Sequence, residues 1–130
     1  MIVLDASVAV ELLLASASGA AVRERLFTNG QPLHAPQLLD VEVLQVLRRS
    51  VARGAMTTSR ADEALTSLAV WPVTRHGHLP LLHRCWQLRA NLSAYDATYV
   101  ALAESLGATL LTRDARLSRA PGIAATIELV

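Results

Sequence analysis

The chain contains no lysine; all twelve of its basic residues are arginine. Any mechanism that depends on a lysine amine is therefore excluded. Cysteine is nearly absent too. The lone Cys85 rules out an internal disulfide and fits a reducing compartment, the cytoplasm. No apolar run approaches the ~20 residues needed to span a bilayer. The longest candidate, residues 8–15, includes Glu11 and starts too soon after Met1 to serve as a signal peptide. A strong charge imbalance is also missing. Twelve basic against eleven acidic residues leave +1 at pH 7, which argues neither for nor against a nucleic-acid partner. Repeats and linker-like tracts are absent.

What the sequence does have is apolar substance. It is 52% hydrophobic over 130 residues, with mean hydropathy +0.35. That is enough for one domain, residues 1–130, with its own core. Ile2, Val3 and Leu4 read as a buried strand ending at Asp5. Ser7 is the expected N-cap of a helix reaching about residue 14, and a second helix is expected over 18–27. A turn at 29–32 and a brief strand near His34 lead into a long helix over 37–53, closed by Gly54. A helix after Thr58, a short strand at Val73 and a helix over 79–90 follow. The clearest helix spans 94–106, with Tyr95, Tyr99, Leu102 and Leu106 on one stripe and Gly107 at its end. Strands at 109–112 and 125–130 close the chain. Apolar strands alternating with helices define an α/β class with a parallel sheet covered on both faces.

Four acids fall where such sheets gather functional groups, beyond the carboxyl ends of the strands. Asp5 ends the first strand. Asp114 comes two residues after the 109–112 strand, Asp96 lies in the first turn of the helix feeding that strand, and Glu42 lies early in the long helix. Each has a plain structural alternative. Asp5 can cap a helix. Ser93-x-x-Asp96 has capping-box spacing, as does Ser59-x-x-Asp62. Asp114 can belong to a polar turn, and Glu42 to a solvated helix face. Glu42 is the hardest to explain that way. It lies four residues from both Leu38 and Val46, with Val41, Val43 and Leu44 around it, and a carboxylate among apolar residues is costly unless paired or metal-bound. Taken together, the four suit a Mg²⁺ or Mn²⁺ site. These cations take oxygen ligands, activate water and stabilise a phosphodiester under attack. Ser7 and Thr112, each two residues from an acid, are placed to donate supporting hydrogen bonds.

Asp5-Ala6-Ser7 after an N-terminal strand, Glu42 in the long helix, Ala94-Tyr95-Asp96-Ala97 and Thr112-Arg113-Asp114 resemble, as an ordered set, the PIN-domain ribonucleases. The similarity is greatest to the VapC toxins of bacterial toxin–antitoxin pairs, and it covers essentially the whole chain. The resemblance implies an α/β/α sandwich around a mainly parallel sheet of four to five strands. It implies Mg²⁺- or Mn²⁺-dependent endoribonuclease activity, a homodimer, and inhibition by a VapB-type antitoxin that inserts a segment into the acidic groove. By the same resemblance, Asp5, Glu42, Asp96 and Asp114 form the catalytic and metal-binding set, supported by Ser7 and Thr112. In the family the last acid varies in how directly it meets the metal.

Arg113, Arg116 and Arg119 are candidates for RNA phosphates, or simply a solvated charged segment. His76-x-His78 has no nearby cysteine to complete a transition-metal site. Trp71 and Trp86 suit packing better than base stacking. Cys85 reads as a small buried hydrophobe. Two other functional classes compete with the nuclease. A phosphoryl-transfer domain also ends its first strand in Asp, but such sites use a lysine, and Ser7 stands where the second acid of an Asp-x-Asp motif belongs. A non-catalytic PIN-like module that only binds a partner protein is the alternative that stays open.

Overall fold

The structure, a computed structural model, describes residues 1–130, the side chain of Ser18 excepted. Its first strand, β1 (Ile2–Leu4), is apolar on both faces and wholly buried. There follow α1 (Ala6–Leu13), α2 (Ala17–Thr28), β2 (Leu33–Pro36), α3 (Leu38–Ala52), α4 (Thr58–Val70) and β3 (Val73–His76). The second half contributes α5 (Leu82–Gln87), α6 (Ala94–Leu106), β4 (Thr109–Thr112) and β5 (Thr126–Leu129).

All five strands are parallel, in the order β3-β2-β1-β4-β5. Parallel neighbours need long crossovers, and the helices supply them for the first three connections. Only a 3-10 turn, Leu117–Arg119, lies between β4 and β5. Successive strand residues point to opposite faces. In β1 and β4, Ile2, Val3, Leu4, Leu110 and Leu111 are all fully buried, so helices cover both sides of the sheet. Helix α6 crosses β1, β2 and β4 with α5 against it, while α1 packs on β4 and α3. Each such buried Leu, Ile or Val contributes ~1.5–3 kcal/mol. Among the described residues, no helix is long and apolar enough to cross a membrane.

The topology itself places the site. From the central β1 the chain moves to β2 on one side, while β4 pairs on the other, with Leu4 opposite Leu111. Connections leaving in opposite directions open a crevice at the carboxyl ends of β1 and β4. Asp5 and Thr112 stand at those two ends.

Several local expectations are revised. Ser7 is not the N-cap of α1; Asp5 holds that position, with extended backbone and no side-chain capping bond. Both side chains are committed elsewhere, to each other. The Ser59/Asp62 box does not form, because Thr57 caps α4 by accepting from the Arg60 amide at 3.1 Å. The helix expected over 79–90 splits into a 3-10 turn, Leu79–Leu81, and the short α5, with Pro80 in the first turn. Tyr95 leaves the stripe of Tyr99 and Leu102: it is 62% exposed, whereas they are buried. Cys85 is half-buried rather than buried.

Candidate active site

The best-built part of the crevice surrounds Asp5. Its side chain is nearly buried, yet one carboxylate oxygen receives two hydroxyl hydrogen bonds. Ser7 Oγ donates to Oδ2 at 2.8 Å and Thr112 Oγ1 donates to the same atom at 2.7 Å. Both hydroxyls are held in turn by the strand end. The Asp114 amide donates to Thr112 Oγ1 at 3.0 Å, and the Arg113 amide donates to Ser7 Oγ at 3.1 Å. The β1 and β4 ends are thereby stitched together through Asp5. Among the described residues, Asp5 Oδ1 accepts no hydrogen bond.

Glu42 has a comparable asymmetry. Tyr99, buried in α6, donates its hydroxyl to Glu42 Oε2 at 2.9 Å, and Oε1 has no hydrogen-bond partner among the described residues. Burial pushes the Glu42 carboxyl above its ordinary pKa; the Tyr99 bond opposes the rise, and repulsion from Asp5 and Asp96 adds to it. The Tyr99 phenol is driven well upward by its own burial and by Glu42, so it stays a donor. The apolar surroundings read from the sequence are real but one-sided. Leu39, Val43 and Leu47 form the buried face of α3, while Val41, Leu44 and Val46 are exposed beside Glu42.

Asp96 sits in the first turn of α6, whose N-cap is Ser93; Ser93 Oγ accepts the Asp96 amide at 3.1 Å. The capping geometry expected of this segment therefore exists. It does not exhaust the role of the acid, since burial raises the Asp96 pKa and Asp5 and Asp114 raise it further. Asp114 is the end of the row that is more open than Asp5, its side chain 25% exposed. Arg116 grips both of its oxygens at 2.6–3.1 Å, and this hydrogen bonding holds the Asp114 carboxyl below the ordinary range.

The four acids predicted from sequence are linked electrostatically in a row: Glu42 feels Asp5 and Asp96, and Asp96 feels Asp5 and Asp114. A recess of about 230 Å³ opens beside Asp96 and Asp114 and is lined by Asn91, Ser93 and Arg116. A larger one of about 510 Å³ opens beside Glu42, next to Tyr95, Gln45 and Arg49. Among the described residues, no group of three Asp, Glu, His or Cys side chains is gathered tightly enough to hold a metal ion unaided. Mg²⁺ itself needs only one or two carboxylates, plus water and phosphate. The donor set fits a hard cation: oxygen atoms only, with the hydroxyl-bound Asp5 and Glu42 each keeping one oxygen free.

The neighbouring charges are mostly spoken for. Arg113 pairs with Glu11, and Arg75 pairs with Asp40 at 3.0 Å, so both of these neighbouring acids have a cationic partner. His76 and His78 do not converge. His76 meets His34 at 2.9 Å, and His78 accepts the Leu38 amide at 3.0 Å at the start of α3. Sequence reasoning passed over Tyr99 as a site residue, reading it only as core. Its spacing three residues after Asp96 was the available signal.

A five-stranded parallel sheet with acids at a β1/β4 crevice is the architecture of the PIN domain, and the PIN-domain sequence pattern matches residues 2–123. The chain is 44% identical to ribonuclease VapC12 of Mycobacterium tuberculosis over 130 residues, covering 100% of this chain and 99% of that one. It is 46% identical to ribonuclease VapC3 of the same organism over 120 residues, 92% and 86% of the two chains. In fold it is similar to the crystal structure of M. tuberculosis VapC20, a Sarcin-Ricin loop cleaving toxin, with a TM-score of 0.71 at 20% identity, covering 95% and 97% of the two chains. The chain belongs to the VapC family of PIN-domain ribonucleases, the toxins of VapBC pairs.

Proposed function

We propose that this chain is a divalent-cation-dependent endoribonuclease with Asp5, Glu42 and Asp96 as cation ligands and Asp114 at the edge of the site. The observation that carries this reading is the Asp5 arrangement: one carboxylate oxygen saturated by Ser7 and Thr112, the other free, beside two carboxylates it repels. A folded domain that holds unpaired acids together stores repulsion that a cation relieves. Mg²⁺, or Mn²⁺ in its place, supplies charge neutralisation at the RNA phosphate and acidifies water for the attack. The chain's residues do the rest. Ser7 and Thr112 orient Asp5, Tyr99 holds Glu42, and Ser93 fixes the first turn that carries Asp96. Arg116 can exchange its bidentate hold on Asp114 for an RNA phosphate, while Arg113 is held by Glu11. Hydrolysis by water leaves a 5′-phosphate and a 3′-hydroxyl.

The whole chain, residues 1–130, is read as a single PIN domain acting in the cytoplasm. A VapB-type antitoxin is its natural inhibitor. Two solved structures of similar fold support this partner: VapBC2 of Rickettsia felis bound to a DNA fragment from its promoter, and DNA-bound VapBC of Salmonella typhimurium. The exposed side chains of Val41, Leu44 and Val46, next to Glu42, offer it an apolar strip. A second exposed group, Leu79, Leu82 and Trp86, supports a homodimer.

The test is cleavage of RNA with Mg²⁺ or Mn²⁺ by the wild type, Asp5→Ala and Asp96→Ala, with the product ends identified. Both variants should lose cleavage. Undiminished cutting by both, or 2′,3′-cyclic ends, contradicts the assignment. A wild type that engages a partner protein yet cuts no RNA in either metal supports the binding-module reading instead.

A further inference from the structure

Tyr99 is a buried phenol with a single polar partner. Its side chain is 1% exposed, in the middle of α6, and its hydroxyl reaches across to α3 to donate to Glu42 Oε2 at 2.9 Å. Asp96 and Tyr99 are three residues apart on α6, so they share one helical face. Asp96 is at the mouth of the crevice, and Tyr99 lies one turn deeper. The bond therefore ties the helix that carries Glu42 to the helix that carries Asp96. A phenylalanine would fill the same core volume, so packing alone does not require the hydroxyl. A buried hydroxyl costs stability unless it finds a partner. The partner here is a carboxylate whose other oxygen is left unbonded.

We propose that Tyr99 is a positioning residue for the cation: it fixes the Glu42 carboxylate against α6 so that Glu42 and Asp96 present their oxygens to the same ion. The inference rests on the reading that these acids hold a divalent cation, and it concerns a residue that touches neither the ion nor the RNA.

The experiment measures Mn²⁺ affinity by titration of the full chain in four forms: wild type, Tyr99→Phe, Glu42→Gln and the double variant. Loss of a residue that orients a metal ligand typically weakens metal binding by roughly 10–100-fold, so Tyr99→Phe should lose about 10-fold. The Mg²⁺ concentration giving half-maximal RNA cleavage should rise by a similar factor, with a smaller change in rate at saturating Mg²⁺. In the Glu42→Gln background, Tyr99→Phe should add little, because the ligand it orients is already altered. Circular dichroism of each variant checks that the fold is retained.

Unchanged Mn²⁺ affinity in Tyr99→Phe, with only a lowered melting temperature, overturns the proposal in favour of a purely structural bond. A full independent loss in the double variant overturns it as well, since Tyr99 would then act without Glu42. Failure of the wild type to bind Mn²⁺ at all overturns the cation reading itself, and is distinguished by appearing before any substitution is made.

Discussion

The two ends of the acidic row use the same residue type in opposite settings. Asp5 is 8% exposed and receives two hydroxyl hydrogen bonds on one oxygen, from residues rooted in β4 and α1. Asp114 lies past the end of β4 and is gripped by Arg116, whose side chain is 87% exposed. Neutral hydroxyl donors hold a carboxylate in place and leave its charge uncompensated. A guanidinium compensates that charge, in a pair that water can open. On the proposed reading, the buried Asp5 keeps one oxygen available to a cation, whereas Asp114 is already paired with Arg116.

Substitutions can break this comparison. The largest effect is expected from Asp5→Asn, set against Asp114→Asn. A catalytic cation supplies several kcal/mol of stabilisation, and each ~1.4 kcal/mol is tenfold in rate, so Asp5→Asn should cost RNA cleavage roughly 10³-fold. Asp114→Asn should cost about tenfold, the lower limit for a group acting on the ion through others. Matched single-turnover rates check the gap. Equal losses would erase the distinction.

Next in size is Thr112→Val, which keeps shape and removes the hydroxyl shared by Asp5 and the Asp114 amide. Cleavage should fall about 10–100-fold, as for other groups that orient a metal ligand. Stability should fall by ~1–3 kcal/mol, because a buried network loses its central partner. Denaturant unfolding reads the second effect, and a rate loss with unchanged stability would go against the network.

The pH dependence sharpens the same contrast. Glu42 and Asp96 hold their protons more tightly in the folded chain than in the unfolded one, first through burial and then through neighbouring acids. Without metal, the stability they contribute is therefore present below their unfolded pKa values and is lost as pH rises through the folded ones. Cation binding needs the ionised forms, so cleavage should rise with pH through a midpoint above the ordinary carboxylate range. In Asp5→Asn, carboxyl NMR titration should show both midpoints moving down, since one source of repulsion is gone. No movement would mean that the acids are not coupled.

The smallest effect belongs to Arg116→Ala. An exposed ion pair adds little to stability, so the melting temperature should scarcely change. The log–log salt slope of RNA binding should drop by about 1 if Arg116 meets a phosphate. An unchanged slope would confine Arg116 to its contact with Asp114.

Much of this was legible in the sequence, for reasons that can be named. β1 and β4 declare themselves because strands buried on both faces leave short unbroken apolar runs, and α3 and α6 because glycine ends each of them cleanly. The order of the acids along the chain follows from strand ends and helix starts, which local patterns mark well. Contacts between distant segments were not legible. No spacing rule tells that Thr112 Oγ1 reaches Asp5, 107 residues away, or that Tyr99 turns its hydroxyl to Glu42, 57 residues away. Ser7 misled as a cap because its hydroxyl is used by Asp5, a competition only the folded chain reveals. Tyr95 and Tyr99 share a helical stripe in the sequence, but the sheet buries only the second.

The contrast between the two ends comes down to cation affinity. Titration of Mn²⁺ into Asp5→Asn and Asp114→Asn side by side should show a loss of about 100-fold or more for the first and about tenfold or less for the second, bracketing the range seen for groups around metal sites. Equal affinities, or a larger loss for Asp114→Asn, would contradict the assignment of the buried end as the cation-holding end.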